Sequence, residues 1–341
     1  MSSERNVTPN LLFKDLDSLY VSSFLSKNTV RSALSYKPRC DDIFIVTYQK
    51  AGTTWTQYIV HSILNDGALP KDIADFMLRS PWLEFLGPEV VEKMVRPGAI
   101  KCHLPCHKHP YSEKAKYIYV TGNPYDCCVS FYYHVRSRPH YRLQDAPFDT
   151  FLNSFLKGQV GCGDFFDHVL SWYEHRNDSN VLFLRYEDLI KDIKSSVMKI
   201  ADFLGKGYGQ SLRDHHYFFD KVVKTTSFES MQKPVNDGMK DLASSFLSIP
   251  PQNQHKSMQV FNQRFCGKQD LKPKEKILRK GIIGDYKNHF IYLFIYLLQY
   301  PQGQKALQRG NAEQIRRMKE WIASKNEGSV LMNLWNDIDL P

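Results

Sequence analysis

Three segments of the chain follow one order, in which an apolar, β-branched run precedes a short turn and then a helical pattern. The three apolar runs are residues 41–48, 116–120 and 181–185. Asn123 suits the N-cap of the second helix, and Gly205 suits the end of the third. Alternating strands and helices are typical of a parallel sheet covered by helices. The sequence therefore predicts an α/β protein, a single domain over residues 1–341 with a mainly parallel central sheet flanked by helices.

The turn at residues 50–55 (Lys-Ala-Gly-Thr-Thr-Trp) stands between the first predicted strand and its helix. Backbone N–H groups at a helix N-terminus, two hydroxyls and a lysine cation suit a phosphate or sulfate group. The turn is P-loop-like but lacks the Walker A spacing, because its lysine precedes its glycine. Ligands of parallel sheets bind beyond the C-terminal ends of the strands, where this turn and Asn123 are expected. An ordinary strand-to-helix turn is the alternative interpretation.

Bulk properties narrow the class of partner. The formal charge of +9, from 45 Lys and Arg against 36 Asp and Glu, favours a polyanionic ligand. No cluster of basic residues or aromatic RNA-binding signature is apparent, so we expect a nucleotide and no nucleic-acid partner. The N-terminus lacks a secretory signal, and the apolar run 291–298 is shorter than the ~20 residues that cross a bilayer. The missing signal and the short apolar run predict a cytoplasmic location and no membrane partner. The seven cysteines, an odd number, predict reduced thiols.

Two segments interrupt the regular pattern. Residues 232–278 are polar and contain several prolines, which predicts a mobile segment with short helices that gates the acceptor. Residues 291–310 begin apolar and end polar, and we expect a peripheral insertion there. The next helix is predicted to start at Asn311, because Asn311 with Gln314 three residues later is an N-cap pattern.

Five motifs, in this order, resemble those of the cytosolic sulfotransferases that use 3′-phosphoadenosine 5′-phosphosulfate (PAPS). They are residues 50–55, 101–105 (Lys-Cys-His-Leu-Pro), 186–188 (Tyr-Glu-Asp), 226–231 (Thr-Ser-Phe-Glu-Ser-Met) and 279–284 (Arg-Lys-Gly-Ile-Ile-Gly). The resemblance runs from about residue 16 to 290 and returns over residues 311–335. It implies transfer of a sulfonate group from PAPS to the hydroxyl or amine of a small, aromatic acceptor, without a metal.

The resemblance also implies which residues bind the donor. The 50–55 turn would hold the 5′-phosphosulfate, two aromatic rings would sandwich the adenine, and basic residues would hold the 3′-phosphate. A guanidinium and an ammonium beside a glycine N–H suit phosphate oxygens. The residues assigned in this way are Lys50, Ala51, Gly52, Thr53, Thr54, Trp55, Ser130, Tyr186, Thr226, Ser227, Phe228, Met231, Arg279, Lys280 and Gly281.

His103 is the catalytic base that the resemblance implies. Strand alternation places Lys101 and His103 on one face, and an imidazole near neutrality can take the proton of the acceptor. Lys50 would neutralise charge on the leaving phosphate oxygen, and Lys101 charge on the sulfonyl oxygens. The acceptor pocket is expected to consist of Trp82, Phe85, Leu86, His103 and His134.

A zinc site is an alternative for the same stretch of sequence. It contains Cys102, His103, Cys106, His107 and His109, but a second ligand pair at a recognisable spacing is absent. We therefore expect no bound metal.

The chain departs from the sulfotransferase pattern at Gly122, where the family has an arginine that helps to hold the 3′-phosphate. Weakened donor binding is the expectation. A nucleotide-binding or interaction protein without catalysis on the same fold is thus one rival function, and a kinase-like phosphotransferase is another. The 291–310 segment interrupts the chain near a dimer-contact element of the family, so a homodimer is left open.

Overall fold

The computed structural model describes residues 13–138, 141, 146–247, 250, 252, 278–289 and 304–341. The strands in these residues are β1 Phe13–Asp15, β2 Tyr20–Ser22, β3 Ile43–Thr47, β4 Ile100–Cys102, β5 Lys116–Thr121 and β6 Val181–Arg185. The helices are α1 Lys27–Leu34, α2 Thr53–Leu64, α3 Ile73–Arg79, α4 Leu83–Leu86, α5 Pro88–Glu92, α6 Pro124–Ser137, α7 Phe148–Leu156, α8 Phe165–Tyr173, α9 Tyr186–Lys191, α10 Ile193–Leu204, α11 Lys206–Asp214, α12 His216–Thr225, α13 Phe228–Leu247 and α14 Gln304–Lys325. Two short 3₁₀ helices cover Cys106–Lys108 and Leu331–Trp335.

Four of the strands form a parallel sheet in the order β4-β3-β5-β6. Val46 on β3 pairs with Cys102 on β4 and with Tyr119 on β5, and Tyr119 pairs with Phe183 on β6. The remaining two strands, β1 and β2, make a separate antiparallel pair. The predicted α/β architecture with a parallel sheet is confirmed.

Both faces of the sheet are covered, as expected for parallel strands. Because side chains alternate along a strand, Phe44 and Val46 belong to one apolar cluster and Ile45 to the other. The first cluster includes Trp172 of α8, and the second includes Ile59 of α2. Helices on the two sides of the sheet thus bury its strands and fix the strand ends where the turns begin.

The turns after the strands follow local sequence rules. The Asn123 side chain accepts from the N–H of Asp126, and Pro124 takes the first position of α6. After β6, the predicted single helix is two helices, because Asp192 caps α10 by accepting from Ser195 N–H. The sequence thus located both helix starts near the sheet but missed the break at Asp192.

One prediction of local structure was wrong, the start of the last helix. In the segment predicted to gate the acceptor, residues 232–247 belong to α13, which continues to Leu247 with Pro234 inside it. A proline near the start of a helix removes one backbone hydrogen bond, and the adjacent buried residues Met231 and Val235 anchor this turn in the core. The last helix begins at Gln304, so Asn311 lies inside it and does not cap it. Residues 291–303, most of the predicted insertion, and residues 253–277 lie outside the described residues.

Two further features concern the described residues alone. Their six cysteines are all free thiols, in agreement with the predicted reduced state. A helix long and apolar enough to cross a membrane is not found in this part of the chain.

Candidate active site

A cavity of about 310 Å³ lies beyond the C-terminal ends of the four parallel strands. Residues that follow each of β3, β4, β5 and β6 line it, which is the location predicted for a ligand of such a sheet. Most of the site residues named from the sequence share its wall. They are Lys50, Ala51, Gly52, Thr53, Thr54, Trp55, Trp82, Phe85, Lys101, His103, Ser130, His134, Tyr186, Phe228, Met231, Arg279, Lys280 and Gly281.

Three of the named residues do not line the cavity. Leu86 packs in the core and is 4% exposed. Thr226 is fully buried, and its carbonyl accepts a hydrogen bond from Trp55 Nε1 at 2.6 Å. Ser227 accepts from Ser230 N–H at the start of α13. Thr226 therefore supports an aromatic residue of the cavity, whereas Leu86 and Ser227 have packing and capping roles.

The 50–55 turn owes its shape to backbone conformations that few residues adopt. Lys50 has a φ of 72° and Gly52 a φ of 101°. A β-carbon on Gly52 would lie 2.7 Å from Cδ2 of Tyr186, so only glycine fits there. Thr53 and Thr54 follow as the first residues of α2, whose N–H groups face the turn. The local geometry is that of an anion-binding turn.

Aromatic rings form one end of the cavity. The ring of Trp55 stands nearly perpendicular to those of Tyr186 and Phe228, with centroid distances of 5.6 and 6.4 Å. Gly281 lies against Phe228, because a β-carbon there would be 2.5 Å from the Phe228 ring. The arrangement supplies flat apolar faces of the kind on which a purine base stacks.

Basic residues next to these rings are held by carboxylates. Arg279 and Lys280 both form ion pairs with Asp285, with the lysine at 2.9 Å. Asp126 accepts from the N–H groups of Gly284 and Tyr286 at 2.7 and 2.8 Å, which fixes the loop that carries these cations. Asp126 and Asp285 therefore hold Arg279 and Lys280 in place.

His103 is buried at 6% exposure, and its backbone N–H and ring Nδ1 both have hydrogen-bond partners. Its backbone N–H donates to Oε1 of Glu84 at 2.5 Å. Its ring Nδ1 lies 2.9 Å from the carbonyl oxygen of Thr47. A carbonyl oxygen only accepts, so Nδ1 carries the hydrogen and Nε2 keeps a lone pair. Burial, aided by Lys101, lowers the pKa of His103 well below its usual value, so the imidazole is neutral near pH 7.

Two cations line the cavity beside this imidazole. Burial, followed by repulsion from Arg138 and Lys101, lowers the pKa of Lys50 to about 7. Burial lowers the pKa of Lys101 to about 8, and the carboxyl of Glu84 opposes that shift. The Lys101 ammonium also sits 4.6 Å from the centre of the Trp82 ring. An anion that enters the cavity would therefore favour the charged form of both lysines.

The opposite end of the cavity is apolar and was only partly predicted. Trp82 and Phe85 line it as expected, with centroids 5.6 Å apart, and Trp82 stands edge-on to His103 at 5.5 Å. Phe24 and Tyr141 complete the wall, with centroids 6.0 Å apart. Neither residue belongs to a sequence motif, because long-range packing alone brings these segments to the sheet.

The zinc alternative finds no support in the described part of the chain. No group of three or more metal-ligating side chains is found among those residues. His109 instead packs edge-on to Phe44 and Trp172, at 4.8 and 5.3 Å. Burial lowers its pKa to about 3, which marks it as a neutral core histidine.

Gly122 lies in the cavity wall, with room for a β-carbon. A β-carbon there would be 3.5 Å from Sγ of Cys127 and 3.6 Å from Oε1 of Glu187, which are ordinary contact distances. A β-carbon at this position therefore fits without displacing its neighbours.

Comparison with known proteins agrees with this geometry. Residues 40–296 match the model of the sulfotransferase domain. Human sulfotransferase 1C2 is 32% identical over 266 residues, which are 75% of this chain and 80% of the human protein. Mouse sulfotransferase 2B1 is 36% identical over 258 residues, 74% of this chain and 67% of the mouse protein. The crystal structure of mouse sulfotransferase SULT7A1 complexed with PAP has 27% identity and a TM-score of 0.66, and the match covers 96% of this chain and 98% of that one.

The chain belongs to the sulfotransferase family. It is a PAPS-dependent sulfotransferase, an enzyme that transfers sulfonate groups to small-molecule acceptors.

Proposed function

We propose that this enzyme transfers the sulfonate of PAPS to the hydroxyl or amine of a small aromatic acceptor, with His103 as the general base. The observation that carries the proposal is the neutral imidazole of His103, held through Nδ1 by the Thr47 carbonyl, in the wall of a cavity that it shares with the 50–55 turn. A neutral imidazole with a free Nε2 lone pair is the form that accepts a proton.

The donor is proposed to lie across the cavity. Its 5′-phosphosulfate meets the 50–55 turn, its adenine lies against the Trp55 and Phe228 rings, and its 3′-phosphate meets Arg279 and Lys280. The two rings are nearly perpendicular, so the base stacks on the face of one of them and meets the edge of the other. All of these residues line the same cavity, which supports this placement. The PAP complex of the related mouse enzyme supports the same class of donor.

In the proposed reaction, the acceptor oxygen attacks sulfur while His103 Nε2 takes its proton. The bond between sulfur and the bridging phosphate oxygen breaks, and 3′-phosphoadenosine 5′-phosphate (PAP) leaves with the bonding electron pair. Lys50 stabilises the charge on the departing oxygen, and Lys101 stabilises the sulfonyl oxygens. Both lysines line the cavity with His103. The acceptor binds against the apolar wall formed by Trp82 and Phe85.

Labelled PAPS with a panel of phenols, alcohols and amines tests transfer directly. The His103→Ala variant is expected to lose transfer by about 10²–10⁴-fold while its affinity for PAP is unchanged in calorimetry. The His134→Ala variant removes another cavity-lining imidazole and is expected to keep its turnover number. Single-turnover transfer by His103→Ala at the wild-type rate would exclude the base assignment.

A second candidate function is nucleotide binding without catalysis, which Gly122 in the cavity wall favours. The same assay, combined with calorimetry, separates the two, because measurable PAP binding with no transfer to any acceptor identifies the second candidate. A cytoplasmic location, the absence of metal, membrane and nucleic-acid partners, and a homodimer remain proposals. Fractionation, metal analysis and sedimentation test them.

A further inference from the structure

Arg138 follows the last residue of α6 and lines the same cavity as His103. In the described part of the chain, its guanidinium has neither a carboxylate partner nor a side-chain hydrogen bond. Burial lowers its pKa to about 10, which still leaves it cationic at pH 7. A half-buried arginine without an ionic partner is costly unless an anion meets it.

Among the residues that the structure describes, the charged groups on which Arg138 acts are cations. Its charge lowers the pKa of both Lys50 and Lys101. The phosphosulfate of the proposed donor neutralises those two lysines. Arg279 and Lys280 already pair with Asp285. Among the described cations of the cavity wall discussed above, Arg138 is therefore the one for which neither the proposed donor nor a carboxylate supplies a negative charge.

Arg138 lies beside the aromatic wall assigned to the acceptor. Its carbonyl accepts from the N–H of Tyr141 at 3.0 Å, and the Tyr141 ring packs against Phe24. Its guanidinium interacts electrostatically with Tyr141 and with Lys101, whose ammonium lies over the Trp82 ring. The Tyr141 hydroxyl is already bonded to Ser22 Oγ at 2.8 Å. Arg138 thus offers a charged donor group on an otherwise aromatic wall.

We propose that the preferred acceptor carries an anionic group, such as a carboxylate, that pairs with Arg138 while its phenol hydroxyl meets His103. This inference rests on the proposed function. A guanidinium binds a carboxylate through two parallel hydrogen bonds, and such pairing discriminates strongly where water is excluded. The acceptor class is then a hydroxyaryl acid.

The test compares 4-hydroxyphenylacetate with its methyl ester, which has the same phenol and no charge. A charged hydrogen bond accounts for roughly ten- to a hundredfold in affinity, so wild type should have a kcat/KM about that much higher for the acid. Arg138→Gln should remove this preference by lowering the value for the acid alone, with the Kd for PAP unchanged. Arg138→Glu should turn the preference toward tyramine.

Arg136→Gln is the matched control. Arg136 is the neighbouring arginine of α6, lies 5.3 Å from the centre of the Tyr132 ring, and is not part of the cavity wall. The Arg136→Gln variant should keep the wild-type preference for the acid over the ester. Equal losses for acid and ester in Arg138→Gln, together with weaker PAP binding, would instead assign Arg138 to the donor and overturn the inference.

Binding measurements separate this inference from the proposed function. Calorimetry of the acid and the ester with the PAP complex reads the preference without turnover. One outcome is that the enzyme shows no transfer, binds the acid more tightly than the ester, and loses this difference in Arg138→Gln. That outcome would reject the proposed function and retain the anion site. Active transfer with equal binding of acid and ester would reject the anion site alone.

Discussion

Nδ1 of His103 lies 2.9 Å from the carbonyl oxygen of Thr47, and this contact decides which ring nitrogen carries the hydrogen. The Thr47 hydroxyl lies 2.6 Å from the hydroxyl of Thr53, so one residue of β3 touches both the imidazole and the 50–55 turn. The base and the anion-binding turn are thereby positioned by the same strand end.

We expect nitrogen-15 NMR of histidine-labelled protein to show the neutral Nδ1–H form of His103 at pH 7. Burial and Lys101 lower its pKa well below 6.5, so the ring should stay neutral as the pH falls through 6. The folded pKa lies below the unfolded one, so this residue lowers the stability of the fold as the pH falls below about 6.5. The His103→Ala spectrum assigns the signal. An Nε2–H form, or a midpoint near 6.5, would contradict this prediction.

The affinity for PAP should fall as the pH rises above about 7. Burial lowers the pKa of Lys50 to about 7 in the free protein, and a bound phosphate raises it again by favouring the cation. Binding above pH 7 therefore takes up protons, which calorimetry in buffers of different ionisation enthalpy measures. Lys101, with a pKa of about 8, contributes to the same trend. Lys50→Met should bind more weakly and with a flatter pH dependence; an unchanged slope would exclude Lys50 as its source.

Gly52→Ala should destabilise the fold, because a strained backbone alone costs about 1–3 kcal/mol. The φ of 101° and the 2.7 Å approach to Tyr186 both oppose a β-carbon. Gly122→Ala is the matched control, since its β-carbon has ordinary contacts of 3.5 Å and its φ is not positive. Chemical denaturation of both variants measures the difference. Equal stabilities would show that the turn relaxes around the new methyl group.

Gly122→Arg should tighten PAP binding by roughly ten- to a hundredfold, the effect of one charged hydrogen bond. The gain should be much smaller for adenosine 5′-phosphate, which lacks the 3′-phosphate. The β-carbon fits, because its nearest neighbour, Cys127 Sγ, is 3.5 Å away. Calorimetry with both nucleotides and with the uncharged Gly122→Leu variant measures the effect. Equal gains for the two nucleotides would place residue 122 away from the 3′-phosphate.

Local sequence rules located the parts of the site that depend on neighbours in the chain. β6, Val181–Arg185, has the predicted bounds, and Asn123 caps α6 as predicted. The apolar period of a strand and the hydrogen bond of an N-cap involve residues only a few positions apart. The same rules failed at Asn311, which lies inside the last helix and not at its start.

The sequence by itself determined the parallel α/β class, the 50–55 turn, His103 as the candidate base and the unusual Gly122. Only the tertiary structure decided the charge states and the neighbours of these groups. The neutral form of His103, the lowered pKa of Lys50 and the place of Arg138 in the cavity wall depend on residues far apart in the chain. Desolvation and Coulomb interactions act through distance in space, and a motif records only distance along the chain.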